Sequence, residues 1–463
     1  MSLSHDVLAG CVLASVLCAQ SRPSLEQLEA ELIQERARAA AERKQLSDRL
    51  DALQQRLESP ADQKTADDVA ALRVELDATR RRLETLERAR GGRERLIDIS
   101  LNLLTAAGSS TATDAELAVL APGGHDPNRR GFTLQNGELS LAGAVDPWFR
   151  LESHVVFQID PDGETTVELE EAYLQTLALP GDLQVKAGQY FTEFGRHNAQ
   201  HPHQWDFANA PLANARMLGG DGLRAPGARV SWLVPTDTFV EVISGVQHPR
   251  GATQTSFLAD PVLGGDRVAA DRHVQSLRDL LYSERVSTSF NLGEESVAAL
   301  GGSAAFGPND SGPRADTQVY GVDAVLKWKP LANDQGWPFV TATGGYLWRR
   351  YEAVAGVDSL GNPTTDAVYH DHGGYAQVVV GFLRPWTAGL RVDLVDGDGA
   401  TTGDGTQDRH WRWSPALTWY PSEFARLRLQ VALQKAQQIG DQTETSVWLQ
   451  CEVNIGAHGA HKF

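Results

Sequence analysis

A chain of 463 residues has room for two to four ordinary domains, or for one large β architecture with an appendage. A net charge of −18 offers no basic face for nucleic acid, and no apolar run approaches the roughly 18 residues of a helical membrane span. Of three cysteines, Cys11 and Cys18 lie near the start, which leaves Cys451 alone and excludes a disulfide scaffold.

Residues 1–20 read as a signal peptide, because Val7 to Ala19 is uncharged and mostly apolar and Gln20-Ser21 opens a polar sequence. Leu8-Ala9-Gly10-Cys11 spells a lipoprotein box but lies too near the start to follow a full apolar core. Cleavage near Cys18 to Gln20 and export of the chain are expected.

Residues 25–95 contain no aromatic side chain, one Pro and two Gly, with 16 acidic against 15 basic groups. Leu25, Leu28 and Leu32, then Leu46, Leu50, Leu53 and Leu57, and later Val69, Leu72, Leu76, Leu83 and Leu86 recur at intervals of three and four. That is a heptad seam with a phase slip after Leu32 and a break at Ser59-Pro60. Such a leucine stripe must pair, so an α-helical coiled coil is expected, either folded back on itself or shared between copies of the chain.

All 34 aromatic residues follow position 131, and there the period changes to two. Leu427, Leu429, Val431 and Leu433 alternate with Arg426, Arg428, Gln430 and Gln434. Leu151, Val155, Phe157 and Ile159 alternate with Arg150, Glu152, His154 and Gln158, and Val447, Leu449, Cys451, Val453 and Ile455 oppose Ser446, Gln450, Glu452 and Asn454. About sixteen such runs can be marked from residue 97 onward. Short turns join them at Val145-Asp146-Pro147, Leu179 to Asp182, Val234 to Asp237, Leu292 to Glu294 and Tyr420 to Ser422. Long polar loops fall at 195–221, 249–282, 353–371 and 396–408. Short turns at one end and long loops at the other are the asymmetry of a transmembrane β-barrel.

A soluble two-sheet protein would also alternate, but its strands are usually five or six residues long. The runs here reach 10 to 14, which suits a tilted membrane strand. Trp148, Phe149, Tyr190, Phe191, Trp232, Trp328, Trp337, Trp386, Trp411 and Trp419 lie near strand ends, where two interfacial girdles would sit. The final Phe463 agrees with a barrel-assembly signal, although Gly456 to Lys462 separates it from the last strand.

The stretch Gly131-Phe132-Thr133-Leu134-Gln135-Asn136-Gly137-Glu138-Leu139-Ser140-Leu141 resembles the opening barrel strand of a group of bacterial outer-membrane proteins. Glu170-Glu171-Ala172-Tyr173-Leu174, Leu183 to Phe191 and Phe194-Gly195-Arg196 extend the likeness. Together they are similar to the phosphate-selective porin O/P superfamily, some members of which carry an amino-terminal coiled coil. The resemblance implies a sixteen-stranded trimeric barrel over residues 97–463 with a lumen narrowed by inward-folded loops. It does not bring phosphate selectivity, which needs a ladder of Lys and Arg, because residues 96–463 carry −17.

The smaller constellations are weaker. His197, His201 and His203, with Asp206 nearby, are candidate ligands for zinc or copper on a long loop, against the alternative of polar loop residues packed on Trp205 and Phe207. His370 and His372 flank Asp371 in a second such arrangement, and His458 and His461 form a third. Asp396, Asp398, Asp404 and Asp408 place carboxylates on a Gly-rich loop, but Ala400, Thr401 and Gln407 break the calcium-loop pattern, so a solvated acidic loop is expected. Gly219-Gly220-Asp221-Gly222 reads as a tight turn into a strand at 223. Neither a G-x-S-x-G elbow nor an H-E-x-x-H motif occurs, and an enzyme is not expected.

These observations describe a protein of the bacterial outer membrane, with a periplasmic coiled coil over 25–95 and a barrel over 97–463. It would pass small hydrophilic solutes or ions by passive diffusion and need no cofactor. Arg150, Lys186, Arg391, Arg426 and Arg428 would attract anions, while Glu152, Glu168, Glu170 and Asp393 would attract cations; the net charge favours cations. A homotrimer through barrel and coiled coil is expected. The alternative is a tether, in which a plugged barrel anchors the coiled coil to the cell wall.

Overall fold

The computed structural model describes residues 97–456 apart from 161–162, 260–266 and 400–403, together with 41, 44–50, 52, 53 and 79. The chain divides into two units, Met1–Leu96 and Ile97–Phe463. The described positions of the first unit are helical. The expected signal peptide, most of the heptad seam, His458, His461 and Phe463 lie outside the described residues.

In the second unit the period-two sequence forms sixteen strands. One half comprises β1 (Asp98–Ser110), β2 (Gly131–Ala144), β3 (Phe149–Ile159), β4 (Thr165–Thr176), β5 (Leu183–Phe191), β6 (Arg224–Leu233), β7 (Phe239–Gln247) and β8 (Leu281–Asn291). The other comprises β9 (Ser296–Pro308), β10 (Asp316–Trp328), β11 (Phe339–Ala353), β12 (Ala367–Leu383), β13 (Trp386–Gly397), β14 (His410–Ser422), β15 (Ala425–Ala436) and β16 (Thr443–Gly456). Each strand pairs antiparallel with its sequence neighbours, and β1 pairs with β16 in the register Leu103↔Val453. Closure leaves no strand edge with unpaired amides.

Local chemistry explains the short turns. Asp146 accepts from the amides of Trp148 and Phe149, both at 2.8 Å, and so fixes the β2–β3 turn. Gly181 (φ 74°) and Asp182 (φ 56°) supply the left-handed residues between β4 and β5. The turn expected at Tyr420 to Ser422 lies further on. A register shift between Trp419 and Ser422 lets β14 continue, Ser422 pairs with Ala425, and Glu423-Phe424 makes the corner. The long connections 111–130, 192–223, 248–280, 354–366 and 398–409 lie at the opposite end of the barrel from these turns.

The barrel is polar inside and apolar outside. Leu429, Leu433, Val447, Leu449 and Val453 are exposed on the outer face, while Arg412, Arg428, Gln430 and Gln450 are buried on the inner one. An apolar surface this continuous suits hydrocarbon rather than water. The aromatic belts differ in part from the expected set. Trp148, Trp232, Trp328 and Trp419 are exposed near the short turns, and Trp386 stacks on Trp419 at 6.0 Å. Tyr190 and Phe191 are buried and belong to neither belt, because Tyr190 shares the inward parity of Lys186 and Phe191 packs under Arg224. Exposed Tyr282, Tyr320, Trp348 and Trp413 lie toward the long-loop end instead.

The polarity can be tested in mid-strand. Leu449→Arg is expected to destabilise the folded barrel by about 2–4 kcal/mol, the usual effect of Arg at the bilayer midplane. Urea unfolding in lipid vesicles, compared with wild type, measures it.

Candidate functional site

The connection 192–223 between β5 and β6 folds into the lumen. Gly222 (φ 72°) closes its far end as the expected tight turn, and a Cβ there would lie 2.9 Å from the Phe191 ring. Pro211 precedes a short helix, α1 (Leu212–Leu218), where only a polar loop is expected. Leu212, Met217 and Leu218 of α1 join Phe194, Leu223 and Phe257 and the inward faces of Leu281, Val319, Leu347 and Val395 in one buried apolar cluster. A hydrophobic core therefore sits inside the barrel, made by the connection and the wall together.

Arginines on β13, β14 and β15 hold the chain before α1. Arg391 donates to the carbonyl and side-chain oxygens of Asn209 at 2.9 and 2.5 Å, and pairs with Asp393 at 2.9 Å. Arg412 reaches the Ala210 carbonyl at 2.5 Å and Asp393 at 3.3 Å. Arg428 donates to the Trp205 carbonyl at 2.7 Å, while Arg426 donates to those of Trp205 and His203 at 3.0 and 2.8 Å and also pairs with Glu452. Asp393 in turn accepts from the Leu212 amide at 3.1 Å, and the Gln430 side chain accepts from the Ala208 amide at 2.7 Å. The β1–β2 connection helps, since Asp126 accepts from the Ala210 amide at 2.7 Å.

The opposite side of the connection meets β2, β3 and β4 through histidines and glutamates. His154 Nδ1 lies 2.8 Å from Glu138 Oε1, and His203 Nδ1 lies 3.1 Å from Glu138 Oε2. His201 places Nδ1 3.5 Å from Glu138 and 2.8 Å from Glu170, and Nε2 2.9 Å from Glu171. Burial alone would push the His201 imidazole down, but the Glu138 and Glu170 carboxylates hold it well above its ordinary value. His125, from the β1–β2 connection, is buried against Glu170 at 3.4 Å and is likewise raised, Glu170 overcoming desolvation.

Two cavities flank this bridge. One of about 320 Å³ opens among strand ends on the short-turn side and is lined by Asp98, Arg150, Tyr173 and Lys186, with Glu138, His154, His201 and His203 also on its wall. The other, of about 470 Å³, lies on the long-loop side among Arg216, Arg349, Thr406 and Arg409.

The nine charged lumen candidates all lie on inward faces, and the structure gives each a partner. Arg150 pairs with Glu152 at 3.5 Å, Lys186 with Glu193 at 3.6 Å, and Glu168 and Glu170 with Arg224. Arg391, Asp393, Arg426 and Arg428 hold the inward connection as described. Of the three loop histidines, His201 and His203 meet at Glu138, whereas His197 turns away to Trp205 and Tyr375, with ring centroids 5.0 and 6.2 Å distant. Its place is taken by His154 from the wall. His370 and His372 are on the outward side of β12, where His372 meets the Tyr346 hydroxyl at 2.8 Å, while Asp371 is turned inward to Arg349 and Arg216. The aspartates at 396–408 do not converge: Asp396 pairs with Arg409, Asp398 accepts from the His370 amide, and Asp404 caps Thr406. Asp126, Arg224, Arg349 and Arg412 are buried in the lumen as well, outside the set of expected site residues. The inward parity of the last three is visible in their strands, but their partners are not.

No family model matches the sequence. Over 400 residues, 80% of this chain and 80% of the other, it is 33% identical to an uncharacterised protein of Aquifex aeolicus (strain VF5). In structure it is similar to the outer membrane channel DcaP of Acinetobacter baumannii, with TM-score 0.52 and 10% identity over 78% of this chain and 97% of that one. The anion-selective porin from Comamonas acidovorans gives TM-score 0.47 and 9% identity over 78% of this chain and 99% of that one. The fold is thus a closed sixteen-strand antiparallel barrel like those of outer-membrane porins.

Two outcomes test the seating of the connection. Hydrogen bonds to a charged group contribute about 1.5–3 kcal/mol, so Arg391→Met should speed thiol labelling of an Ala210→Cys reporter roughly tenfold or more, with the native cysteines replaced. Acid should act through His197, which burial and then Arg391 push down to about 3, with Asp393 opposing. A released His197 takes a proton near its ordinary value of about 6.5, so the seated state loses stability as pH falls from about 6.5 towards about 3. Labelling of the same reporter should accelerate across that window, and a His197→Gln background should show a smaller acceleration.

Proposed function

The chain belongs to the family of the Aquifex aeolicus protein, and we propose that it is an outer-membrane channel for passive diffusion of small hydrophilic solutes or ions. The carrying observation is a barrel that is apolar outside and polar inside, with a connection seated across its lumen between two polar cavities. Transport then passes a constriction bounded by the inward connection rather than the full barrel bore.

Selectivity is proposed to lean toward cations. The cavity on the short-turn side carries Asp98, Glu138, Glu152, Glu171 and Glu193 against Arg150 and Lys186, with His154, His201 and His203 among them. Phosphate selectivity, as in the porin O/P superfamily that the sequence resembles, is not expected. The wall arginines that could form an anion ladder already bind carbonyls of the connection. Periplasmic pairing of 25–95 as a coiled coil and assembly as a homotrimer complete the reading, supported by the heptad seam. Chemical cross-linking in membranes should trap trimers.

A second reading is favoured by one observation: Arg391, Arg412 and Arg428 are fully buried beneath the connection, as in a plugged barrel. Such a barrel would anchor the 25–95 segment to the cell wall and conduct nothing. Single-channel recording under a salt gradient separates the two. Stable steps with a cation-leaning reversal potential support the channel, and the Asp98→Asn/Glu193→Gln double variant should move that potential toward anions. Silence from folded, inserted protein favours the tether.

A further inference from the structure

We infer that the lumen holds a transition-metal site of the zinc class, built from Glu138 on β2, His154 on β3 and His201 and His203 on the inward connection. Three imidazole Nδ1 atoms surround the Glu138 carboxylate at 2.8 Å (His154), 3.1 Å (His203) and 3.5 Å (His201). Ligand atoms of Glu138, His154 and His201 all lie within 4.8 Å of one another, and the three residues are buried. A tetrahedral zinc with bonds of about 2.0–2.1 Å needs ligand atoms ~3.3 Å apart, so the side chains stand within small shifts of that geometry.

The surroundings support a ligand set rather than a plain hydrogen-bond network. His201 is buried, and its Nδ1 lies 2.8 Å from Glu170 Oε2, which sets a further carboxylate oxygen beside the ligand group. The Nε2 atoms of His154 and His201 lie 3.2 and 2.9 Å from the Glu152 and Glu171 carboxylates, one backing each ring. Carboxylates behind histidines fix the tautomer and orientation with Nδ1 turned to the metal. Nitrogen and carboxylate ligands in a compact group suit zinc and its neighbours better than calcium or magnesium, which prefer all-oxygen shells. The short-turn cavity, lined by these same four residues, gives an ion its access. A bound ion would cross-link the connection to the β2–β3 wall, whether or not the barrel conducts.

Calorimetric titration of refolded full-length protein in detergent with Zn²⁺ tests the site. One saturable ion per chain is expected. His154→Gln and Glu138→Gln should weaken it at least ~10-fold, and Glu171→Gln about 10–100-fold as a ring-orienting partner. His370→Gln, on the outer face, should leave it unchanged. Titration of wild type with Co²⁺ should give the intense visible absorption of a tetrahedral nitrogen–oxygen site, which keeps the test decisive where a variant fails to fold. Absence of saturable zinc binding, undiminished binding by a folded His154→Gln/His201→Gln variant, or an octahedral cobalt spectrum would overturn the proposal.

Discussion

The lumen depends on how the guanidinium groups of Arg391, Arg412, Arg426 and Arg428 are satisfied. Sequestering an ion from water costs several kcal/mol unless partners replace its hydration. Here the carbonyls of His203, Trp205, Asn209 and Ala210 and the carboxylates of Asp393 and Glu452 provide those partners. Exchanging water for carbonyls comes close to neutral, so the arginines set the position of the connection more than they drive it inward. The drive lies in the apolar cluster. Leu212, Met217, Leu218 and Phe257 would face lumen water if the connection left, and burying such a side chain contributes about 1.5–3 kcal/mol.

This division explains what was legible in the sequence. Wall residues alternate with a period of two except at register shifts such as the one that turns both Glu170 and Glu171 inward, so the alternation from Arg426 to Gln434 gives the faces of β15 directly, and sixteen such runs give a closed barrel. Parity also gives Tyr190 its inward side, which strand-end position alone does not. The connection follows no period. Its contacts join residues 203–212 to 391–430, a separation across which single-sequence patterns carry no signal. One clue was available: Leu212, Met217 and Leu218 form an apolar segment inside an otherwise polar loop, which in a barrel lumen needs something to cover it.

The same limit applies to charge. Mixed signs on inward faces were readable, but which ones remain available to a solute depends on pairing. Asp323 and Asp371 are held by Arg285 and Arg349, and Glu170 by Arg224 and His201. An overall charge of −18 therefore says less about permeation than the few carboxylates on the short-turn cavity. A passing ion meets the net sign of such clusters, and on the short-turn cavity carboxylates outnumber the Arg and Lys side chains.

The two seats of the connection differ in chemistry, and this gives the lumen a polarity of response. Toward β13–β15 it is held by guanidiniums, which stay charged throughout the physiological range and bind backbone carbonyls that cannot titrate. Toward β2–β4 it is held by imidazoles against carboxylates, groups whose state depends on protons and on metal. Metal therefore acts on the β2–β4 seat, whereas acid reaches the arginine seat through the buried His197. Metal binding would thus act on the cavity lined by His154 and His201 and not on the cavity lined by Arg349 and Arg409.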